Sequence, residues 1–276
     1  MAVLDIDGTL LNSKSRISEK TIDVIKKLQK RGIIVTLCTG RNIRNTLGIY
    51  RLAGIKSPFI STDGAVLFDP EVNKVLDELK LESETAIKII ETADKRDVFI
   101  ELSNGYDYYK SARQKELFKY DIYTNRSILR FMRNRKYGVK YINHIRHFKK
   151  VPGPYYQIVL AGAPEALTKT ILDIKDINVG EIDVRDNLWE NYAFVNQRGI
   201  CKANGVQMLC KYHNIDMSEV IAIGDQSNDI DMVERAGIGV AMGNASDRVK
   251  AVSDYITKTN DEDGAALALE HFLLKG

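Results

Sequence analysis

Apolar positions follow two rhythms along the chain. Short apolar runs, Ala2 to Leu4 and Ile33 to Cys38, alternate with stretches where apolar residues recur every three or four positions. The first pattern is that of strands buried on both faces, the second that of amphipathic helices. Ser18 is placed to cap a helix running to about Arg31, with Ile22, Ile25 and Leu28 on one face and Gly32 ending it. A second helix follows Thr39-Gly40-Arg41 and reaches about Leu52, and Gly54 and Pro58 bracket the next turn. Phe59-Ile60 reads as a short strand, and Ala65 to Phe68 pairs with Lys74 to Leu76 across Asp69-Pro70. Strand–helix alternation of this kind predicts a parallel sheet with right-handed crossovers.

The middle of the chain changes rhythm. Ser83 to Asp94 is an amphipathic helix, and Val98 to Leu102 with Tyr106 to Tyr109 form a hairpin around Asn104-Gly105. A basic segment with scattered aromatics, Arg113 to Lys150, precedes Pro152-Gly153-Pro154. Tyr156 to Ala161, Glu181 to Arg185 and Tyr192 to Val195 read as strands and Pro164 to Ile174 as a helix. Paired strands with helices in runs imply a separate α+β unit. After Gly199 the alternation returns: helix Lys202 to Tyr212, strand Val220 to Ile223, a helix to Ala236, strand Ile238 to Ala241, helix Asp247 to Val252, strand Tyr255 to Thr257, then a polar loop, Asn260 to Gly264, and a last helix. The expected fold is α/β, a Rossmann-like parallel-sheet core domain with an inserted α+β domain. The expected boundaries are 1–80 and 199–276 for the core and 81–198 for the insertion.

Composition narrows the class without changing the fold. The 276 residues are 44% hydrophobic and 28% charged, ordinary for a globular chain with room for two domains. A net charge of +3 is too weak to argue for nucleic acid, and no known nucleic-acid-binding motif is present. No apolar run approaches the ~20 residues of a membrane helix. The chain goes straight into its first strand with no signal-like segment, and Cys38, Cys201 and Cys210 lack disulfide or metal spacing, so a reducing cytoplasm is expected. Between Lys95 and Lys150 there are fifteen Lys or Arg against five acids, so the insertion is basic and the remainder acidic. That patch either steers anions or is a solvated face. Tyr106, Tyr108, Tyr109 and Trp189 are equally open between ring stacking and core packing. His144 and His147 sit three apart with no cysteine or acid cluster nearby, which favours surface residues over a metal site.

Three polar groupings fall at the carboxyl ends of predicted parallel strands, where open α/β sheets bind ligands. They are Asp5 with Asp7, Thr39 with Gly40, and Asp225 through Asp229; Lys202 opens the helix before the third. Along an extended chain Asp5 and Asp7 point to the same side, with Ile6 away. Carboxylates crowded together are costly without a cation, and hard oxygen donors suit Mg²⁺. A hydroxyl, amides at a helix start and a lysine suit a phosphate. Taken singly, each group has a plainer reading: Thr39 as a helix cap, Lys202 as a solvated side chain, Asp225 and Asp229 as helix-start acids. Together they are the equipment of phosphoryl transfer.

Asp5-Ile6-Asp7-Gly8-Thr9-Leu10 resembles the first motif of the haloacid dehalogenase superfamily, Thr39-Gly40-Arg41 the second, Lys202 the third, and Gly224-Asp225 with Asn228-Asp229 the fourth. Asp63-Gly64-Ala65, the run from Ala236 through Gly243-Asn244-Ala245, and Thr259-Asn260-Asp261-Glu262-Asp263-Gly264 resemble the Cof-type, class IIB phosphatases more narrowly. The resemblance implies a class II cap that closes over the core, and a Mg²⁺-dependent phosphatase acting on small phosphorylated metabolites such as sugar phosphates. It implies Asp5 as nucleophile and Asp7 as general acid and base. It implies metal binding by the Asp5 carboxylate, the Asp7 backbone carbonyl and Asp225. Thr39, the Gly40 amide, Lys202 and Asn228 would hold phosphoryl oxygens, and Asp229 would support the metal site or orient Lys202. An acid at Asp7 favours a phosphatase or a phosphomutase over relatives that lack one. Asp63, Ala203 and Gln226 depart from the usual pattern without removing a required group. A phosphohexomutase and a catalytically silent phosphometabolite-binding regulator are the competing readings. Neither nucleic acid nor membrane is an expected partner; oligomeric state and the individual substrate are not legible.

Overall fold

The structure, a computed structural model, describes residues 1–111, 138–177, 182–187 and 191–274. The chain divides into two compact units: Met1–Glu78 with Ile200–Gly276, and Leu79–Gly199.

In the first unit β1 (Ala2–Leu4) lies between β2 (Val35–Leu37) and β12 (Ile221–Gly224). The sheet continues through β13 (Ile238–Ala241) to β14 (Tyr255–Ile256), and every pair in it is parallel. Val3 opposes Thr36 on one side and Ala222 on the other. This central strand therefore has no exposed edge, which is why it reads as apolar at every position. Helix α1 (Glu19–Lys30) is capped as its sequence predicts, with the Ser18 side chain accepting the Thr21 N–H. Its buried stripe is Thr21, Val24, Ile25 and Leu28, so Ile22 lies at the margin rather than on the face. Spacings of three, one and three put these four on one narrow face. Leu28 is fully buried; truncating such a leucine to alanine costs about 2–5 kcal/mol.

Helix α2 (Ile43–Ala53) starts at Asn42, whose side chain accepts the Asn45 N–H. The chain then leaves the parallel pattern. Strands β3 (Phe59–Ser61), β4 (Val66–Asp69) and β5 (Lys74–Glu78) form an antiparallel sheet, and one parallel bridge links Cys38 to Ile60. The expected pairing of Ala65–Phe68 with Lys74–Leu76 is present as β4 with β5. After the insertion, α5 (Lys202–His213) packs Val206, Leu209 and Cys210 into one core with Val3, Ile60, Ala222 and Met232. Helices α6 (Ile230–Arg235), α7 (Asp247–Val252) and α8 (Gly264–Leu273) complete the unit.

The second unit has its own sheet, in the order β10 (Ile182–Asn187), β11 (Tyr192–Gln197), β9 (Gln157–Ala161), β6 (Phe99–Ser103), β7 (Tyr108–Ser111), β8 (Val139–Ile142). Its pairs are antiparallel except β7 with β8. Helices α3 (Ser83–Asp94) and α4 (Pro164–Lys175) bury Ile89, Ile90, Leu167 and Ile171 with Leu102, Ile158, Leu160 and Val195. The predicted β6–β7 hairpin is present, its turn held by the Asn104 side chain accepting the Tyr106 and Asp107 N–H groups. Strand β8 was not foreseen, because dense charge hides its short apolar signal and its parallel partner is distant in sequence. Tyr109 belongs to the core cluster. The His144 ring accepts the Arg146 N–H, and its centroid lies 6.2 Å from that of His147. The basic segment from Arg113 to Tyr137, and Trp189, lie outside the described residues.

Candidate active site

Strand β1 ends at Leu4, but the Asp5 amide still donates to the Ile223 carbonyl at 3.0 Å. Asp5 is thereby carried into the buried end of the sheet, 5% exposed. The chain turns at Gly8, whose φ of +79° favours glycine, and a Cβ there would overlap the Asp225 carboxylate. The Leu11 amide closes this turn on the Ile6 carbonyl at 2.9 Å. Because the strand has ended, the period of two no longer governs Asp7. Its carboxylate is exposed and pairs with Arg41, Nε to Oδ2 at 2.7 Å and Nη2 to Oδ1 at 2.6 Å.

Thr39 follows β2 and is buried; its Oγ1 accepts the Arg41 amide at 3.2 Å. Gly40 beside it is half-buried. Lys202 opens α5 with 1% of its side chain exposed, and its Nζ donates to Asp5 Oδ1 and to Asp229 Oδ1 at 2.5 Å each. Asp229 Oδ2 in turn accepts the amides of Asp225 and Gln226, both at 2.9 Å. Asp225 follows β12. Thr9 donates to its Oδ1 at 3.2 Å, and Gln226 Nε2 and Asn244 Nδ2 donate to its Oδ2 at 3.1 and 3.3 Å. Asn228 donates to Asp63 Oδ1 at 2.8 Å, and Asp63 itself has a φ of +54°.

Asp5, Lys202 and the Asp225–Asp229 loop thus converge from three separate segments. Thr39, Gly40 and Asn228 stand in the loops after β2 and β12. Arg41 was named only as part of a motif, Asp63 as part of a motif and as a departure, and Thr9 and Asn244 without a role. Arg41 and Asn244 act through contacts with residues 34 and 19 positions away, which local spacing does not mark.

The comparisons with known proteins follow the same lines. Residues 2–269 match the family of haloacid dehalogenase-like hydrolases. The chain belongs to the haloacid dehalogenase-like hydrolases. It is 30% identical to the phosphatase YwpJ of Bacillus subtilis over 99% of both chains. It is 28% identical to the 5-amino-6-(5-phospho-D-ribitylamino)uracil phosphatase YitU of the same organism, over 99% of this chain and 97% of that one. A haloacid dehalogenase-like hydrolase from Bacteroides thetaiotaomicron shares the fold with a TM-score of 0.80 and 28% identity, over 99% of this chain and 98% of that one. Within the haloacid dehalogenase-like hydrolases it stands with the Cof-type phosphatases, and its chemistry is that of a phosphoric monoester hydrolase.

Three carboxylates of this hydrolase could hold a cation. Carboxylate oxygens of Asp5, Asp225 and Asp229 lie within 4.8 Å of one another, and all three residues are buried. Burial pushes the Asp225 carboxyl up to about 6, with Asp229 adding repulsion. Burial also raises Asp5, against the pull of Lys202. Lys202 is held well above the usual lysine range: burial acts to lower it, but the charges of Asp229 and Asp5 together outweigh that. One buried ammonium between two carboxylates, with a third beside them, leaves negative charge in a dry pocket, which a hard cation relieves. The donor set therefore fits Mg²⁺. Asp229 gives one oxygen to the Lys202 ammonium and the other to two backbone amides, whereas the Asp225 oxygens meet neutral side-chain donors, so Asp5 and Asp225 could ligate a cation while Asp229 anchors the loop. The Asp7 carboxylate pairs with Arg41 at the surface, which leaves the Asp7 backbone carbonyl as the group it could offer a metal.

Proposed function

We propose that this phosphatase hydrolyses small phosphate monoesters, sugar phosphates or related metabolites, through an aspartyl-phosphate on Asp5. The observation that carries the reading is the buried Asp5–Lys202–Asp229 ion-pair chain beside Asp225. Lys202 takes Asp5 Oδ1 and so fixes the carboxylate against rotation. The remaining lone pairs of Asp5 attack phosphorus while the ester P–O bond breaks, and Asp7 gives its proton to the departing oxygen. Water then attacks the aspartyl-phosphate, Asp7 takes its proton, and inorganic phosphate leaves with Asp5 restored. Thr39 Oγ, the Gly40 amide, Lys202 Nζ and Asn228 Nδ2 are the donors for the transferring oxygens. Asp5, Asp225 and the Asp7 carbonyl would hold Mg²⁺, which when bound neutralises charge between the carboxylates and the phosphate.

The small, polyhydroxylated phosphoester named for the YitU relative supports the substrate class. Among the described residues no helix is long and apolar enough to cross a membrane, and we place the reaction in the cytoplasm with a small phosphorylated metabolite as partner. The test is phosphate release from an aryl phosphate and a metabolite panel, with and without Mg²⁺. Free phosphate rather than isomerised sugar phosphate is the expected product, with Mg²⁺ required. Asp5→Asn is expected to lose at least ~10³-fold in kcat, as removal of a nucleophile does; activity surviving in that variant refutes the assignment.

A further inference from the structure

Two segments with no part in the chemistry above, Gly243–Ala245 and Thr259–Gly264, meet behind the metal-receiving carboxylates. Asn244 leaves the end of β13 and reaches forward. Its Nδ2 donates to the Gly8 carbonyl at 2.9 Å and to Asp225 Oδ2 at 3.3 Å, so one amide group bridges the opening loop and the fourth motif. Its own Oδ1 accepts the Asn260 amide at 2.9 Å, which fixes the orientation of the side chain. Asn260 Nδ2 then donates to the Leu11 carbonyl at 2.8 Å, and Asp261 Oδ1 accepts the Ser13 amide at 2.9 Å. The opening loop is thus held at Gly8, Leu11 and Ser13 by two loops more than 230 residues away.

The loops are themselves built to hold. The Gly243 amide donates to the Lys258 carbonyl at 3.0 Å, and a Cβ on Gly243 would come within 2.8 Å of the Thr259 nitrogen. Thr259 and Glu262 form a reciprocal capping box that sets the Asn260 backbone. The arrangement ends on the opening loop, at Leu11, Ser13 and Gly8, where a Cβ would strike Asp225, and on Asp225 itself.

We propose that Asn244, oriented by Asn260, is a positioning residue that sets the Asp225 carboxylate for Mg²⁺. With Thr9 on Oδ1 and Gln226 and Asn244 on Oδ2, both oxygens of Asp225 are held before any cation arrives. Thr9 ties Asp225 to the opening turn from within that turn, and Asn244 ties the two together from a third segment through one amide group, so Asn244 sets the spacing between the two ligating segments. The inference rests on the metal reading given above.

The test is calorimetric titration of the substrate-free protein with Mg²⁺, for the wild type, Asn244→Ala and Asn260→Ala, with thermal melts in parallel. Loss of such a supporting hydrogen bond typically weakens metal binding about 10–100-fold. Asn244→Ala is expected to raise the Mg²⁺ dissociation constant about 10-fold while its metal-free melting temperature and its KM at saturating Mg²⁺ stay at the wild-type values. Asn260→Ala, which leaves the Asn244 side chain in place, is expected to raise it about 3-fold, and keeps the question answerable if Asn244→Ala does not fold. Wild-type affinity in a folded Asn244→Ala, or in Asn260→Ala where it stands in, overturns the positioning role while leaving the metal site intact. No Mg²⁺ binding by the wild type overturns the metal reading itself, and the positioning role with it.

Discussion

Two ion pairs hold the two acids of the opening loop, and they differ in their access to water. Lys202 and Asp5 are 1% and 7% exposed in their side chains; Arg41 and Asp7 are 29% and 61% exposed. Both are close, and the outer pair is the better formed in hydrogen-bond terms, being bidentate. Yet the inner pair sets the charge state of the pocket, because no solvent screens it and Asp229 adds a second carboxylate to the same ammonium. The outer pair sits in high dielectric, where such bonds orient more than they stabilise. Two acids one residue apart in the same loop are thus given opposite characters: one immobile, dry and paired to a lysine, the other wet and able to exchange partners. A nucleophile wants the first and a proton carrier the second.

That contrast breaks most visibly at Lys202. Lys202→Ala removes the ammonium that bridges Asp5 and Asp229 and leaves two buried carboxylates facing each other. Removing one partner of a buried pair costs about 3–5 kcal/mol, so denaturant unfolding should show a loss of that size, together with loss of phosphate release. Asp7→Asn tests the wet side. Turnover should fall by ~10²–10⁴, the usual weight of a general acid and base, with the unfolding midpoint nearly unmoved because the side chain is exposed. Arg41→Ala should change stability by no more than about 1 kcal/mol, and should lower kcat several-fold with KM little altered if its task is to aim Asp7. A stability loss for Arg41→Ala equal to that of Lys202→Ala would erase the distinction between the two pairs.

The smallest expected effect is on pH. Asp225 is raised from 3.8 to about 6 in the folded chain, so between those values the folded chain holds a proton that the unfolded chain has released. This group's contribution to metal-free stability is therefore full below pH 3.8 and is lost as pH rises through about 6. Mg²⁺ competes for the same carboxylate, so its affinity should weaken as pH falls through about 6 and level off above it. Melting temperature against pH, with and without Mg²⁺, checks both signs: the gap between the curves should widen from pH 5 to pH 7.

The site was legible in the sequence wherever a side chain stands at a strand end or helix start, since apolar runs and caps mark those places locally. Asp5, Thr39, Lys202 and Asp225 were found that way, as were α3 and the β6–β7 hairpin. What local pattern does not carry is the identity of a partner. Nothing near Arg41 announces Asp7, and nothing near Asn244 announces Gly8 and Asp225; those contacts exist only once the sheet has brought its strand ends together. The expectation that Asp5 and Asp7 share a side assumed an extended chain past Leu4, and the turn at Gly8 ends that regime. Strand β8 fails for the opposite reason: its partner β7 is known, but a long basic stretch separates the two and obscures the short apolar signal.

The position of β1 at the centre of its sheet has a consequence for the order of synthesis. Its neighbour β2 follows within 40 residues, but the strand on its other side, β12, begins at Ile221. Until then one edge of β1 is an open template, and Asp5 is a solvated carboxylate with ordinary reactivity. The lysine that fixes it lies 197 positions further along the chain. The unit between, Leu79–Gly199, is continuous in sequence with a core of its own, so it is able to fold while β1 still waits. A ribosome stalled anywhere between residues 79 and 199 therefore holds a chain with its first two motifs made and without the lysine that fixes Asp5. Translation past Lys202 and Asp225 is what converts Asp5 from a surface acid into part of a pocket.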